Sequence, residues 1–270
     1  MTHPFSLAFL TVADVDPVTA VQTAALAGYD MVGLRFLPAS PTESAYPILT
    51  DPELQRSVAQ ALADTGVQLA DIEIARLKPD THIPDFDGFL ALGQRLGARH
   101  ILVAGDDPDR NRLIDTYGQF CVAAARHGMT ADIEPMPWTM IKNLADAVQI
   151  TEAVAQDNSG ILIDALHWDR AGDTVQGIRS LNPVRLHYAQ VCDGPKPFDA
   201  TDAGMIRIAR EARLLPGEGG IDLAALVQAL PAGLPISVEI PNHARARTQT
   251  PLERARAALV ASKALLVNET

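Results

Sequence analysis

The sequence predicts an α/β fold, a (β/α)8 TIM barrel formed as one domain over residues 1–270. Three observations point there. Eight short runs rich in Val, Ile and Leu occur at 6–10, 31–36, 67–74, 100–104, 129–134, 161–164, 185–191 and 236–240. Each is followed by a helical pattern before the next run, and such alternation indicates parallel strands covered by helices. Eight units of about 34 residues each fill the chain, as a closed barrel requires. Finally, the turn after the first run reads TVADVDP, with no glycine. An open doubly wound sheet with a dinucleotide site would carry a glycine-rich loop there, so the barrel is preferred.

The helices are legible from their ends. Asp16-Pro17 sets a capping acid before a proline at the first helical position, and that helix closes on Gly28. Asp51-Pro52 repeats the device, ending at Thr65-Gly66. Asp85 is expected to open a helix to Gly97, and another runs from near Asn111 to Gly128. Further helices are expected near 143–155, 174–181, 223–230 and 251–267. Two connections exceed the usual 2–6 residues. They are 37–50, rich in Pro and Ser, and 193–221, which carries GPKPF, a basic helix-like stretch and LLPGEGG. Both follow strand ends on the face where barrel enzymes keep their sites, so both are candidate lids.

Composition narrows the class without naming a function. The chain is 47% hydrophobic and 20% charged, which suits a globular domain. A formal charge of −11 argues against a nucleic-acid partner, and no apolar run reaches the length of a membrane span. The N-terminus, MTHPFSLAFLTVADVD, has no cationic region before its apolar stretch and reads as that of a cytoplasmic protein. Cys121 and Cys192 are expected to be buried free thiols. A homo-oligomer is compatible with all of this.

Strands buried on both faces should be apolar, so polar residues at their C-terminal ends require an explanation. Glu134 ends TADIE, Asp164 ends ILID, Gln190 lies in LHYAQVCD, and Glu239 ends ISVE. These four come from strands five to eight and converge on one end of the barrel. Three carboxylates cannot share a pocket without positive charge. One divalent metal ion held by Glu134, Asp164, Gln190 and Glu239 is the economical answer, with Mn²⁺ or Mg²⁺ favoured by the oxygen-rich set over zinc. The competing reading is a salt bridge to a barrel arginine such as Arg35 or Arg76.

Other residues carry two readings each. His167 follows Asp164 by three residues; it either faces the substrate or bonds a loop carbonyl. Trp138 forms an apolar wall against a sugar face or packs within its loop. Asp193, Lys196, Arg207, Arg210 and Arg213 lie in the long loop and can reach a hydroxyl or carboxylate of a ligand, while a solvated helix face accounts equally for Arg207 and Arg210. Asp71 and Glu73 share a face of strand three and either line the pocket or pair with Arg76 or Lys78. His187 is expected to point to the opposite strand face from Gln190, as a packing residue or one that supports a ligand from behind.

The segments IEP at Glu134, IDALHW ending at Trp168, HYAQVCDG around Gln190, LLPGEGGID up to Asp222 and SVEIPN up to Asn242 are those of a known group. Through them the whole chain resembles the xylose isomerase-like TIM-barrel superfamily. That group includes sugar epimerases, isomerases, inosose and dehydroshikimate dehydratases, and endonuclease IV. The resemblance implies a metal on Glu134, Asp164, position 190 and Glu239; many members place His where this chain has Gln190. It also implies Glu134 and Glu239 as opposed acid/base groups and a substrate contact from His167. The implied activity is isomerisation or epimerisation of a small sugar or hydroxy-keto acid through a metal-bound enediolate, with a metal-dependent dehydratase as the alternative. A retaining glycosidase using Glu134 and Glu239, and a ligand-binding barrel without catalysis, are the readings from other classes. Seven histidines and the acidic charge fit poorly with endonuclease IV.

Overall fold

A computed structural model describes residues 3–40, 43 and 46–267. Of the 37–50 loop, the first candidate lid, Pro41, Thr42, Ser44 and Ala45 lie outside the described residues. All strands are parallel: β1 (Phe5–Leu7), β2 (Met31–Arg35), β3 (Gln68–Leu77), β4 (His100–Gly105), β5 (Thr130–Ile133), β6 (Ser159–Ile161), β7 (Ile163–Asp164), β8 (Ala189–Val191) and β9 (Ile236–Val238). Their order is β6-β5-β4-β3-β2-β1-β9-β8-β7. The two ends of this sheet, β6 and β7, are halves of the single predicted run 161–164, parted at Leu162. The count of nine is therefore the predicted eight with one strand broken, and the barrel is a (β/α)8 fold.

The covering helices are α1 (Pro17–Ala27), α2 (Pro52–Thr65), α3 (Asp87–Leu96), α4 (Arg110–Arg126), α5 (Leu144–Val154), α6 (Ala165–Ala171), α7 (Val175–Ser180), α8 (Asp202–Glu211), α9 (Leu223–Ala229), α10 (His243–Ala246) and α11 (Pro251–Val267). The predicted starts hold where capping chemistry is explicit. Asp16 accepts from the Val18 and Thr19 N–H groups, Asp51 from Glu53 and Leu54, and Gly28 ends α1 at φ 90°. The structure differs where turns intervene. Residues Phe9–Val12 form a 3-10 turn, which shortens the first strand. Ile83–Phe86 forms another, so α3 begins at Asp87 and not at Asp85. Asn182 caps a third at Pro183–Arg185, which delays β8 to Ala189.

The main core lies between the barrel wall and the helices, and Cys121 and Cys192 are buried in it as free thiols, pushed up to about 12 by burial. A small apolar cluster of Ile74, Leu102, Ala104, Met136, Leu162 and Tyr188 is separate from it. The strands also bury Ser6, Asp71, Asp132 and Ser237. Buried strand positions are thus more polar than the apolar runs suggested.

Candidate functional site

The backbone at the strand ends is pinned before any side chain is considered. Glu134 N–H donates to the Val103 carbonyl and Glu239 N–H to that of Val191, each at about the length of a ladder bond (3.0 and 3.1 Å). Asp164 ends β7 and caps α6, with Oδ1 accepting from the His167 N–H at 2.9 Å. Capping at this spacing is why the Asp-x-x-His pair shares one turn: the acid is the N-cap and the histidine the third helical residue. His167 Nε2 then lies 3.6 Å from Glu134 Oε1 and 3.9 Å from Asp164 Oδ1. One donor atom from each of Glu134, Asp164 and His167 falls within 4.8 Å of the others.

The cation among these acids is Arg213. Its Nη1 meets Asp164 Oδ2 at 2.5 Å and its Nη2 meets Glu239 Oε2 at 2.8 Å. It is held from behind: Nε donates to the Ala209 carbonyl, its N–H to that of Pro241, and Asn242 Nδ2 donates to its carbonyl. The structure thus buries Arg213 as a bridge between two acids. The alternative partners behave as local pairs: Arg35 binds Glu43 and Glu73, and Arg76 binds Asp106. Glu73 accordingly faces the pocket, whereas Asp71 is buried with Oδ1 unpartnered.

Three carboxylates, Glu134, Asp164 and Glu239, surround one guanidinium. With all three ionised, two negative charges would be left unbalanced, and burial keeps protons on the acids instead. Burial, together with the charges of Asp164 and Glu239, raises the Glu134 carboxyl well above its usual range. Burial lifts Glu239 to about 7 against the pull of Arg213. Burial opposes ionisation of Asp164 too, but Arg213 and His167 hold it below its ordinary value. His167 is lowered to about 4 by burial and is neutral near pH 7, so it does not compensate Glu134.

This set fits a divalent cation. Its charge equals the deficit, and Gln190 presents a buried, unpartnered Oε1 while its Nε2 lies 3.3 Å from Glu239 Oε1. A buried amide oxygen without a donor is rare in native proteins and suits a cation ligand. The sequence expectation left His167 out of the donor group; its place beside Glu134 and Asp164 adds a nitrogen donor.

A cavity of about 450 Å³ opens above these groups, lined by Glu73, Glu134, His167, Arg213 and Glu239 and by Trp138, Arg210 and His243 at other points of the wall. Trp138 meets His167 edge-on at 4.9 Å, lines the cavity and packs against the core as well. Asp193 is not among the lining residues. Its Oδ1 accepts from the Gly194 and Ile221 N–H groups and its Oδ2 from those of Gly217 and Gly219, so the expected substrate contact is replaced by a loop-organising one. Lys196 pairs with Asp169. His243, from the short α10, carried no signal in the sequence.

In metal-free protein, Glu239 keeps its proton to about pH 7 when folded, against 4.5 for an ordinary glutamate. Its stabilising contribution is complete below about pH 4.5 and is lost as pH rises through about 7. His167 and His100, held near 4 against 6.5, act in the opposite sense and lose their contribution as pH falls toward 4. Comparing wild type with Glu239→Gln isolates the first effect. Urea unfolding in chelator should show the wild type losing ground to the variant between about pH 5 and 7. A difference independent of pH would refute this assignment.

The comparisons agree with the geometry. The family model described as xylose isomerase-like TIM barrel matches residues 21–264. The chain is 28% identical over 134 residues to a 3-dehydroshikimate dehydratase of Pseudomonas aeruginosa, covering 48% of this chain and 20% of that protein. It is 22% identical over 158 residues to an inosose isomerase of Bacillus subtilis, 55% of each chain. The chain therefore spans about half, or less, of the length of these curated relatives. Among solved structures, the IOLI protein with a binding zinc atom superposes with a TM-score of 0.81 at 16% identity over 99% of both chains. The 3-keto-D-glucoside 4-epimerase of E. coli does so with 0.74 at 17% identity, over 97% of this chain and 100% of that one. With a matched family model over nearly its whole length and the barrel it describes, the chain belongs to the xylose isomerase-like TIM barrel family.

Proposed function

We propose that this protein is a divalent-metal-dependent enzyme that moves a proton at the carbon beside a carbonyl in a small hydroxy-ketone or hydroxy-keto acid, completing an isomerisation or epimerisation. The observation that carries this reading is the grouping of three buried carboxyl groups with the single guanidinium of Arg213, set in a walled cavity with Glu134 and Glu239 both facing it. Glu134, Asp164, Glu239 and the free Gln190 Oε1 would hold the ion, and Mn²⁺ or Mg²⁺ suits a donor set dominated by oxygen. When bound, the ion supplies Lewis-acid polarisation of a carbonyl and its adjacent hydroxyl.

The protein's own groups do the rest. Glu239, as carboxylate, takes the proton from the α-carbon, and Glu134 delivers one to the neighbouring carbon or to the opposite face. His167, neutral and 3.6 Å from Glu134, exchanges a proton with it through Nε2. Arg213 keeps Asp164 ionised and Glu239 oriented. Trp138 excludes water from the inner wall. Arg210 and His243 line the same cavity, and neither pairs with a carboxylate among the described residues, so Arg210 offers a positive charge and His243 a ring nitrogen to an anionic substrate group. The second reading is dehydration, in which the α-carbon proton goes to Glu239 and the β-hydroxyl leaves as water with the Glu134 proton; the burial that keeps that proton on Glu134 favours it, and one relative is named a dehydratase.

Elemental analysis of protein dialysed against Mn²⁺ should find one manganese per chain, lost in Glu134→Ala/Glu239→Ala. Keto-sugars and hydroxy-keto acids in D₂O should then gain deuterium at the α-carbon only with the loaded protein. Dehydration would announce itself by the absorbance of a conjugated enone. No manganese bound, or no exchange with any of these substrates, would overturn the proposal.

A further inference from the structure

A second group of donor side chains lies toward the other end of the barrel. His100 is the first residue of β4, Asp132 lies in β5, and His187 stands two residues before β8. Asp132 Oδ1 is 2.5 Å from His187 Nδ1, and its Oδ2 is 3.9 Å from His100 Nδ1. The two imidazoles are parallel to within 11°, with centroids 5.9 Å apart, so both turn a nitrogen toward one carboxylate. One donor atom from each of the three residues falls within 4.8 Å of the others. Thr130 Oγ1 completes the ring, 2.8 Å from His100 Nδ1 and 2.5 Å from Asp132 Oδ2.

Access and space are both provided. The Asp132 side chain is wholly buried, while those of His100 and His187 are 14% and 18% exposed, so a small ion can enter from solvent past the rings. Gly160, the register partner of Asp132 in β6, faces the group directly. A Cβ at that position would collide with Asp132 Oδ1 and His187 Nδ1, so the strand is hollowed where the donors meet.

We propose that His100, Asp132 and His187 form a second metal site, distinct from the cavity site and selective for a nitrogen-preferring dication such as Zn²⁺ or Co²⁺. Two imidazoles and one carboxylate make a donor set of that class, in contrast with the oxygen-rich set above it. The Thr130 hydroxyl or water fills the remaining position. Such an ion would cross-link β4, β5 and the chain entering β8, and its binding energy would add to fold stability. No reacting group lies here, so the site is structural.

The test uses the full chain with the cavity site silenced by Glu134→Ala/Glu239→Ala. Titration with Co²⁺ should load one ion per chain, with a ligand-field absorption in the visible, and Zn²⁺ should displace it and raise Tm. Adding His100→Gln/His187→Gln should abolish both signals while circular dichroism shows a folded barrel. If the silenced variant fails to fold, wild-type protein answers the same question: two zinc ions per chain, one of them lost in His100→Gln/His187→Gln. Absence of Co²⁺ in the silenced variant, or zinc binding in the wild type unchanged by the histidine substitutions, would overturn the site and leave the cavity proposal untouched.

Discussion

Glu239→Gln is expected to lower kcat by a factor on the order of 10²–10⁴, the usual contribution of a positioned acid/base group, while the barrel stays folded. The substitution keeps shape and removes only the ionisable oxygen. Glu239 Oε2 bonds Arg213, and a glutamine oxygen can accept that bond, so the Arg213 bridge to Asp164 persists. Solvent-deuterium incorporation into the substrate is the measurement, with circular dichroism as the control for folding. Rates like those of the wild type would remove Glu239 from the chemistry.

The largest effect on stability is expected at Arg213. Arg213→Met strips the only guanidinium that contacts Asp164 and Glu239 among the described residues and leaves both carboxylates buried without a cationic partner. Breaking a buried pair in this way costs about 3–5 kcal/mol. Urea unfolding should report that loss in chelated protein, and Mn²⁺ should restore part of it by binding only the folded form. In the Glu239→Gln background the same substitution should cost less, because one of the two stranded charges is already gone. A cost below about 1 kcal/mol would mean that the carboxylates share protons in place of needing the arginine.

What the sequence made legible follows from where its signals are local. Caps at Asp16 and Asp51 and the glycine at 28 determine helix ends within a few residues, and the structure keeps them. The four polar strand ends needed only the period of a strand and the expectation that a barrel wall is apolar. Three other features were not legible because they depend on residues far apart in the chain. Arg213 reaches Asp164 across 49 positions, so nothing in its neighbourhood distinguishes it from the exposed Arg210. Asp193 reads as a ligand contact by its position after a strand, but its partners are backbone N–H groups up to 28 residues away. His187, expected as packing, meets Asp132 at a separation of 55. The break in strand six falls at Leu162, a buried apolar residue inside the predicted run, and apolar patterning does not record it.

The Asp193 clasp has an evolutionary consequence. Asp193 and Leu214 bond each other through backbone N–H and carbonyl groups in both directions, and the Asp193 carboxylate gathers the turn that follows. Residues 194–212 therefore leave and re-enter the barrel at one point, like a bead hung from a closed ring. Arg213 belongs to the ring, held by the Pro241 carbonyl and by Asn242, whereas Arg210 rides on the bead. Lengthening or exchanging the bead would change which group meets an incoming ligand without disturbing the acids beneath. A descendant of this chain could thus acquire a new substrate by trading one cassette, its reaction centre inherited unaltered.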